Sequence, residues 1–173
     1  ANWRGVYDYK ALADTLDFIS LMTYAEHTGV SPAGPVAGYP WMEQCLRYVL
    51  SLGVAPAKIS LGIPSYSHWW FPSYSKKEGP RMIGRDIPFA RAESLLAANR
   101  VAARWDRIQK SPHAVWSENG VFPYLWMEDA RAFVDKLALV AQYHLRGYSV
   151  WVLGTEDPAL WPSLARPTPV PPF

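Results

Sequence analysis

Three short stretches of this 173-residue chain concentrate side chains suited to a ligand that is polar at its edges and flat on its faces. They are Met22-Thr23-Tyr24-Ala25-Glu26-His27, Pro64-Ser65-Tyr66-Ser67-His68-Trp69-Trp70 and Trp151-Val152-Leu153-Gly154-Thr155-Glu156-Asp157. Tyrosine and tryptophan offer apolar ring area together with a hydrogen-bonding edge. Rings of this kind converging on one rim would line a cleft for a polysaccharide, which carries many hydroxyls and apolar ring faces. The same rings could instead plug the mouth of a barrel, and position alone weights the two readings equally.

Composition narrows the other classes. The chain holds 9 Trp, 10 Tyr and 6 Phe, or 14% aromatic residues, a surplus that serves either a core or a sugar-like partner. A net charge of +2 with the two signs interspersed contains no basic stripe for nucleic acid. No apolar run approaches the roughly 18 to 20 residues that a membrane span needs. As the single cysteine, Cys45 cannot form an intrachain disulfide and reads as packing. His27, His68, His113 and His144 lack metal-ligand spacing, so neither a metal nor a cofactor is expected. The opening Ala1-Asn2-Trp3, without an initiator Met or signal-type segment, reads as a processed or cleaved product.

The elements that must position these residues follow from periodicity. Residues 17–24, 58–66 and 148–153 are short apolar runs without strict alternation, which predicts buried parallel strands. Helices are expected over 8–16, 41–52 and 129–145, the last two stopped by Gly53 and Gly147. This βα alternation belongs to an α/β sheet or barrel. Between the second and third strands, 67–126 reads as an α+β insertion. It comprises a Trp- and Pro-rich loop, a helix over 89–100 and strand-like pieces over 103–109, 113–117 and 121–126. Glu118-Asn119-Gly120 forms the turn of a hairpin. The expected domain organisation is a partial barrel over 1–66 and 127–165, the insertion over 67–126 and a Pro-rich tail over 166–173.

The succession YDYKALADTLDFISLMTYAEH, GPVAGYPWMEQCLRYVLS, KISLGIPSYS, VFPYLWMEDARAFVDKLALV and RGYSVWVLGTEDPALW resembles the carboxyl-terminal part of family-18 glycoside hydrolases. Within that family it is most similar to the bacterial cell-wall and spore-cortex N-acetylglucosaminidases, often joined to LysM modules. The resemblance covers nearly the whole chain except the tail.

That resemblance implies a (β/α)8 barrel of which strands six, seven and eight are present, with the α+β insertion after the seventh. It also implies substrate-assisted, retaining cleavage of β-1,4 bonds next to N-acetylglucosamine in peptidoglycan or a chitin-like polymer. There the sugar's acetamido oxygen attacks its own anomeric carbon while a glutamic acid protonates the leaving oxygen. The acid belongs to a DxxDxDxE motif on the fourth strand, which this chain lacks; Asp14-x-x-Asp17 is followed at the required places by Ile19 and Leu21. A complete barrel takes about 250 residues, so the chain reads as a fragment, inactive when isolated. Its expected partners are a polymer containing N-acetylglucosamine and the missing amino-terminal half of the barrel or another copy of the chain. A secreted or cell-envelope location is implied in the same way.

By resemblance, Tyr24 positions the acetamido group, Met22 lines the same pocket and Trp151 forms the floor under the sugar being cleaved. Glu26 and His27 match the cell-wall subgroup. Tyr66, Trp126 and Glu128 are further substrate-binding candidates, and Trp69 and Trp70 an outer sugar platform. Two places depart from the family: Ala25 stands where an aspartate is usual, and Val152 where an arginine is common. These losses keep a second reading open, a non-catalytic glycan-binding module on the same barrel.

Overall fold

The computed structural model describes residues 7–75 and 79–165. The tail expected over 166–173 lies outside them. A helix α1 (Tyr9–Thr15), capped by the Asp8 carboxylate on the Ala11 N–H, leads into strand β1 (Ile19–Met22). Helix α2 (Tyr39–Ser51) and a single 3-10 turn then lead to β2 (Ile59–Pro64). The insertion follows as β3 (Ser67–Ser75), β4 (Gly79–Ile87), α3 (Phe89–Asn99), β5 (Arg104–Asp106), β6 (Ser111–Val115) and β7 (Tyr124–Trp126). Helix α4 (Ala130–Gln142), β8 (Gly147–Trp151) and a short α5 (Leu160–Leu164) complete the described chain.

Two sheets result. Strands β1, β2 and β8 form a parallel sheet with β2 in the middle, and the insertion forms an antiparallel sheet in the order β4-β3-β7-β6-β5. In the parallel sheet, side chains divide strictly by face. Ile19 and Leu21 of β1 and Ile59, Leu61 and Ile63 of β2 point to the helices, where they pack with Met42, Leu46 and Val49 of α2 and Phe133 and Leu139 of α4. The opposite face carries Ser20, Met22, Ser60, Gly62 and Ser149. Strands apolar on both sides were expected; the missing alternation is in fact an aliphatic face against a Ser/Gly face.

That second face is concave. The Ser20 and Ser149 hydroxyls meet at 2.8 Å although β2 lies between their strands. Strands two places apart in a flat sheet stand nearly 10 Å apart, so the side chains converge only because the sheet curls toward that side. Small residues on β2 leave room for this.

The element boundaries shift by a few residues. Helix α2 begins two residues early because Pro40 fits its first turn, and it stops as expected before Gly53 at φ +82°. Helix α4 begins after Asp129, whose carboxylate accepts the Ala132 N–H, and ends at Gln142, so Gly147 opens β8 instead of stopping the helix. The loop expected from Ser67 is instead strand β3. It pairs with β7 only over His68–Trp70, and beyond that point it is an edge, where Pro72 is tolerated. Asn119 and Gly120, at φ +52° and +81°, make the tight turn expected between β6 and β7.

Candidate functional site

The carboxyl ends of β1, β2 and β8 meet at one rim, and two rings dominate it. Tyr24 lies just beyond β1, with its ring over Gly62 of β2; a Cβ at Gly62 would stand 3.0 Å from Tyr24 Cε1 and 2.7 Å from the Leu21 carbonyl. The backbone below is pinned by Thr23, whose hydroxyl donates to the Gly62 carbonyl at 2.6 Å. Trp151 ends β8, nearly parallel to Tyr24, with ring centres 6.2 Å apart and planes 15° apart. Its position is set from β2: the Ser65 N–H donates to the Trp151 carbonyl at 2.7 Å and the Ser65 hydroxyl to the Val152 carbonyl at 2.9 Å. The Trp151–Val152 peptide is cis.

Trp151 is open to solvent, and Tyr24 is half-buried beside it. Trp151 is 54% exposed and Met22, on the same concave face, 61%. Burial raises the Tyr24 hydroxyl above the ordinary tyrosine value, so it remains an O–H donor through the neutral range. Tyr66 is buried, and its hydroxyl is raised by desolvation first and by the nearby Asp86 carboxylate second. An exposed indole beside a parallel, half-buried phenol with its O–H as donor can hold a sugar ring by its face and one polar substituent by a hydrogen bond.

Other expected residues have different work. Glu128 is buried and forms a buried ion pair with Lys136 of α4, while Ser111 of β6 donates to the same carboxylate at 3.2 Å. Burial pushes Glu128 up to about 7, with Lys136 and Ser111 pulling it back; burial lowers Lys136 in turn. The expectation of a substrate contact at Glu128 is therefore corrected: its carboxylate joins the insertion to the barrel. Trp70 is 1% exposed and stacks on His68 at 4.2 Å, and Trp69 is half-buried against Phe71 and the insertion core. Neither stands in a loop, and Trp70 offers no face to solvent, so the expected platform is corrected for Trp70. Trp126 is half-buried and stacks on His113 at 4.8 Å.

Glu26 and His27 hold the loop between β1 and α2. A Glu26 oxygen accepts the Gly38 N–H at 2.7 Å, at the amino end of α2, where a negative charge meets the helix dipole favourably. The His27 ring lies where a Cβ on Gly34 would stand, 2.3 Å from Nε2, and its Nδ1 pairs with the Pro32 carbonyl at 3.0 Å. Lys136, Ser111 and Asp86 are not singled out by sequence reasoning. Nothing in their local pattern distinguishes them, since their partners lie on other elements. Among the described residues, no three His, Cys, Asp or Glu side chains group closely enough to hold a metal ion. No described helix is long and apolar enough to cross a membrane.

A curled parallel sheet with helices on its convex side, aromatic groups at the strand ends and an α+β insertion after the middle strand defines an arc of a (β/α)8 barrel. The profile of Glycosyl hydrolases family 18 matches residues 1–156, and the chain belongs to that family. It is 30% identical over 162 residues to the cortical fragment-lytic enzyme of Bacillus anthracis, a match covering 90% of this chain and 35% of that protein. The crystal structure of a chitinase from Chromobacterium violaceum superposes with a TM-score of 0.79 at 32% identity, over 93% of this chain and 50% of the other. The spore cortex-lytic enzyme SleL of Bacillus cereus superposes with a TM-score of 0.79 at 28% identity, over 91% and 36%. The chain thus spans half or less of the length of these relatives.

Proposed function

We propose that this chain is the carboxyl-terminal part of a retaining glycoside hydrolase that cleaves β-1,4 bonds next to N-acetylglucosamine in peptidoglycan or a chitin-like polymer. The observation that carries this reading is the nearly parallel pair of half-buried Tyr24 and exposed Trp151 at the strand ends of a concave sheet. In this reading Trp151 supports the sugar face and Met22 lines the pocket. The Tyr24 hydroxyl donates to the acetamido carbonyl as its oxygen approaches the anomeric carbon, a contact that positions the nucleophile for attack. Tyr66 and Trp126 border the same cleft.

The proton for the leaving oxygen comes from an acid outside these residues, because no DxxDxDxE stands in the sequence. The isolated chain is accordingly inactive. The edges β1 and β8 and the uncovered concave face call for the rest of the barrel, or for another copy of the chain, since unpaired edges associate. A non-catalytic glycan-binding module is the second reading, favoured by Ala25, which puts a methyl group where the family usually has a carboxylate.

The test assays the full-length protein on peptidoglycan and on chitin, with the fourth-strand glutamate replaced as control. Release of reducing ends that depends on that glutamate is expected. Binding without turnover would favour the module, and neither binding nor turnover would overturn both readings.

A further inference from the structure

The insertion carries charge of one sign that the rest of the chain does not. Residues 67–126 hold nine of the 17 basic residues and five of the 15 acidic ones, so the insertion is net positive and the remainder net negative. The strands draw part of this charge into one row. On β4, Arg81, Ile83 and Arg85 alternate onto one face, opposite Ser73, Phe71 and Trp69 of β3 in that order. Helix α3 packs on the near end of the same face, around Trp69, and adds Arg91.

Two of these cations rest on rings. The Arg85 guanidinium carbon lies 5.5 Å from the centre of Phe71 and that of Arg91 5.9 Å from the centre of Trp69, and the two rings stack on one another at 4.2 Å. Arg81, Arg85 and Arg91 are exposed, whereas Trp69 and Phe71 are half-buried. Among the described residues, neither Arg85 nor Arg91 forms an ion pair. A guanidinium over a ring still has the N–H groups of its planar edge, a fork that fits a carboxylate bidentately. The ring beneath restricts the side chain in advance, so less freedom is lost when an anion binds. Like charges side by side over one aromatic base also repel, and an anion between them relieves that repulsion. The row begins near the rim: the Phe89 N–H donates to the Thr155 carbonyl at 2.8 Å, in the loop that follows Trp151, and Arg91 lies in the same first turn of α3. From Arg85, β4 carries Arg81 about 14 Å further toward the hairpin end.

We propose that Arg85 and Arg91, on their Phe71–Trp69 base, form a docking surface outside the Tyr24–Trp151 cleft for the carboxylates of peptidoglycan stem peptides. This rests on the glycan reading above and narrows its substrate class. Of the two polymers named there, chitin is neutral, and only peptidoglycan bears carboxylates, on the peptides that branch from its glycan strand. Unpaired guanidinium groups favour the anionic polymer over the neutral one by charge complementarity, an effect that salt weakens.

The test uses the full-length protein, a double variant with Arg85→Gln and Arg91→Gln, and Trp151→Ala as the cleft control. Affinity is measured by co-sedimentation with peptidoglycan freed of teichoic acid and with chitin, at low and high salt, and thermal unfolding is followed in parallel. The double variant is expected to lower the peptidoglycan-to-chitin affinity ratio about tenfold at low salt, with an unchanged melting temperature, because charge-assisted hydrogen bonds are lost. Amidating the stem carboxylates should lower the ratio of the unsubstituted protein to the same extent. Arg85→Lys with Arg91→Lys keeps both charges without the planar fork and should retain part of the preference, which a packing defect would not explain. An unchanged ratio in the glutamine variant overturns the assignment, as does an unsubstituted protein that binds chitin but not the stripped peptidoglycan. The glycan reading stands in both cases where Trp151→Ala loses binding. Weakened binding of duplex DNA by the glutamine variant, at an unchanged ratio, assigns the row to nucleic acid and overturns the proposal. An unsubstituted protein that binds neither polymer overturns both.

Discussion

Lys136 of α4 reaches across to Glu128, just past the last strand of the insertion, and the two form an ion pair with neither side chain more than 1% exposed. The Lys136 ammonium also donates to the Ser111 hydroxyl at 3.0 Å, and the Glu128 N–H donates to the Ser67 hydroxyl at 3.2 Å. One buried polar cluster therefore ties β3, β6 and the segment after β7 to a barrel helix.

Breaking this pair from one side leaves its partner buried without compensation. Glu128 already stands at about 7, and loss of Lys136 raises it further. Lys136→Met is therefore expected to cost about 3 to 5 kcal/mol in mildly alkaline solution, read from urea unfolding of the full-length protein. The deficit should shrink as the pH falls toward 7 and level off below it, where Glu128 carries a proton in both proteins. Lys136→Met with Glu128→Leu should recover most of the loss.

Trp151→Ala removes the floor of the proposed cleft, and Tyr24→Phe removes only a hydroxyl. The first is expected to raise KM for an N-acetylglucosamine oligosaccharide by about tenfold or more, since an aromatic platform stabilises bound substrate and transition state alike. The second should lower kcat by about a hundredfold with little change in KM, because its donor is needed as charge develops. Steady-state kinetics on the full-length enzyme would check both, and an unchanged kcat in Tyr24→Phe would remove that residue from the mechanism.

His68 predicts a pH dependence. Burial lowers it, with Asp86 acting in the opposite direction and His27 adding to the lowering. Below about pH 6.5 the unfolded chain therefore takes up a proton that the folded chain resists, and stability falls as the pH drops, by at most about 1.4 kcal/mol per pH unit. The raised Glu128 carboxyl acts in the opposite sense over the same range, so this slope is read as the difference in urea midpoints between the parent protein and His68→Gln at pH 7.5, 6.5 and 5.5.

Ala25 sits at φ +61°, in the left-handed region where a Cβ is crowded. Ala25→Gly is expected to raise stability by up to about 1 kcal/mol, as a shift in unfolding midpoint. Gly62→Ala should do the reverse, because its Cβ would press on the Leu21 carbonyl and Tyr24 at once. An overpacking cost of about 1 to 3 kcal/mol is expected, with reduced affinity at the Tyr24 side of the cleft.

Much of the architecture is legible along the chain. The helix over 41–52 and the strand over 58–66 are marked by local signals: a periodic apolar face stopped by Gly53, and an aliphatic run between polar boundaries. The strand from Ser67 was harder to read because Trp69-Trp70-Phe71-Pro72 shows no alternation that separates strand from loop. Its pairing with β4 over nine residues is what makes it a strand. The places of Tyr24 and Trp151 at the strand ends are legible because each closes an apolar run, whereas their stacking on one another depends on strands that are far apart in the chain.

What the sequence determined by itself is therefore the α/β alternation, the insertion between the second and third strands of the parallel sheet, and the aromatic strand ends, since each depends on residues close together in the chain. The tertiary structure decided which of those groups are free to meet a ligand. Glu128 looked like a rim carboxylate until Lys136 and Ser111 enclosed it, and Trp70 looked like a platform until it was covered and stacked on His68. Asp86 had no distinguishing neighbour in sequence and gained one only through β3. Burial and ionic pairing are set by partners many residues away, so the chemistry of a carboxylate or a ring on this rim follows from the fold that surrounds it.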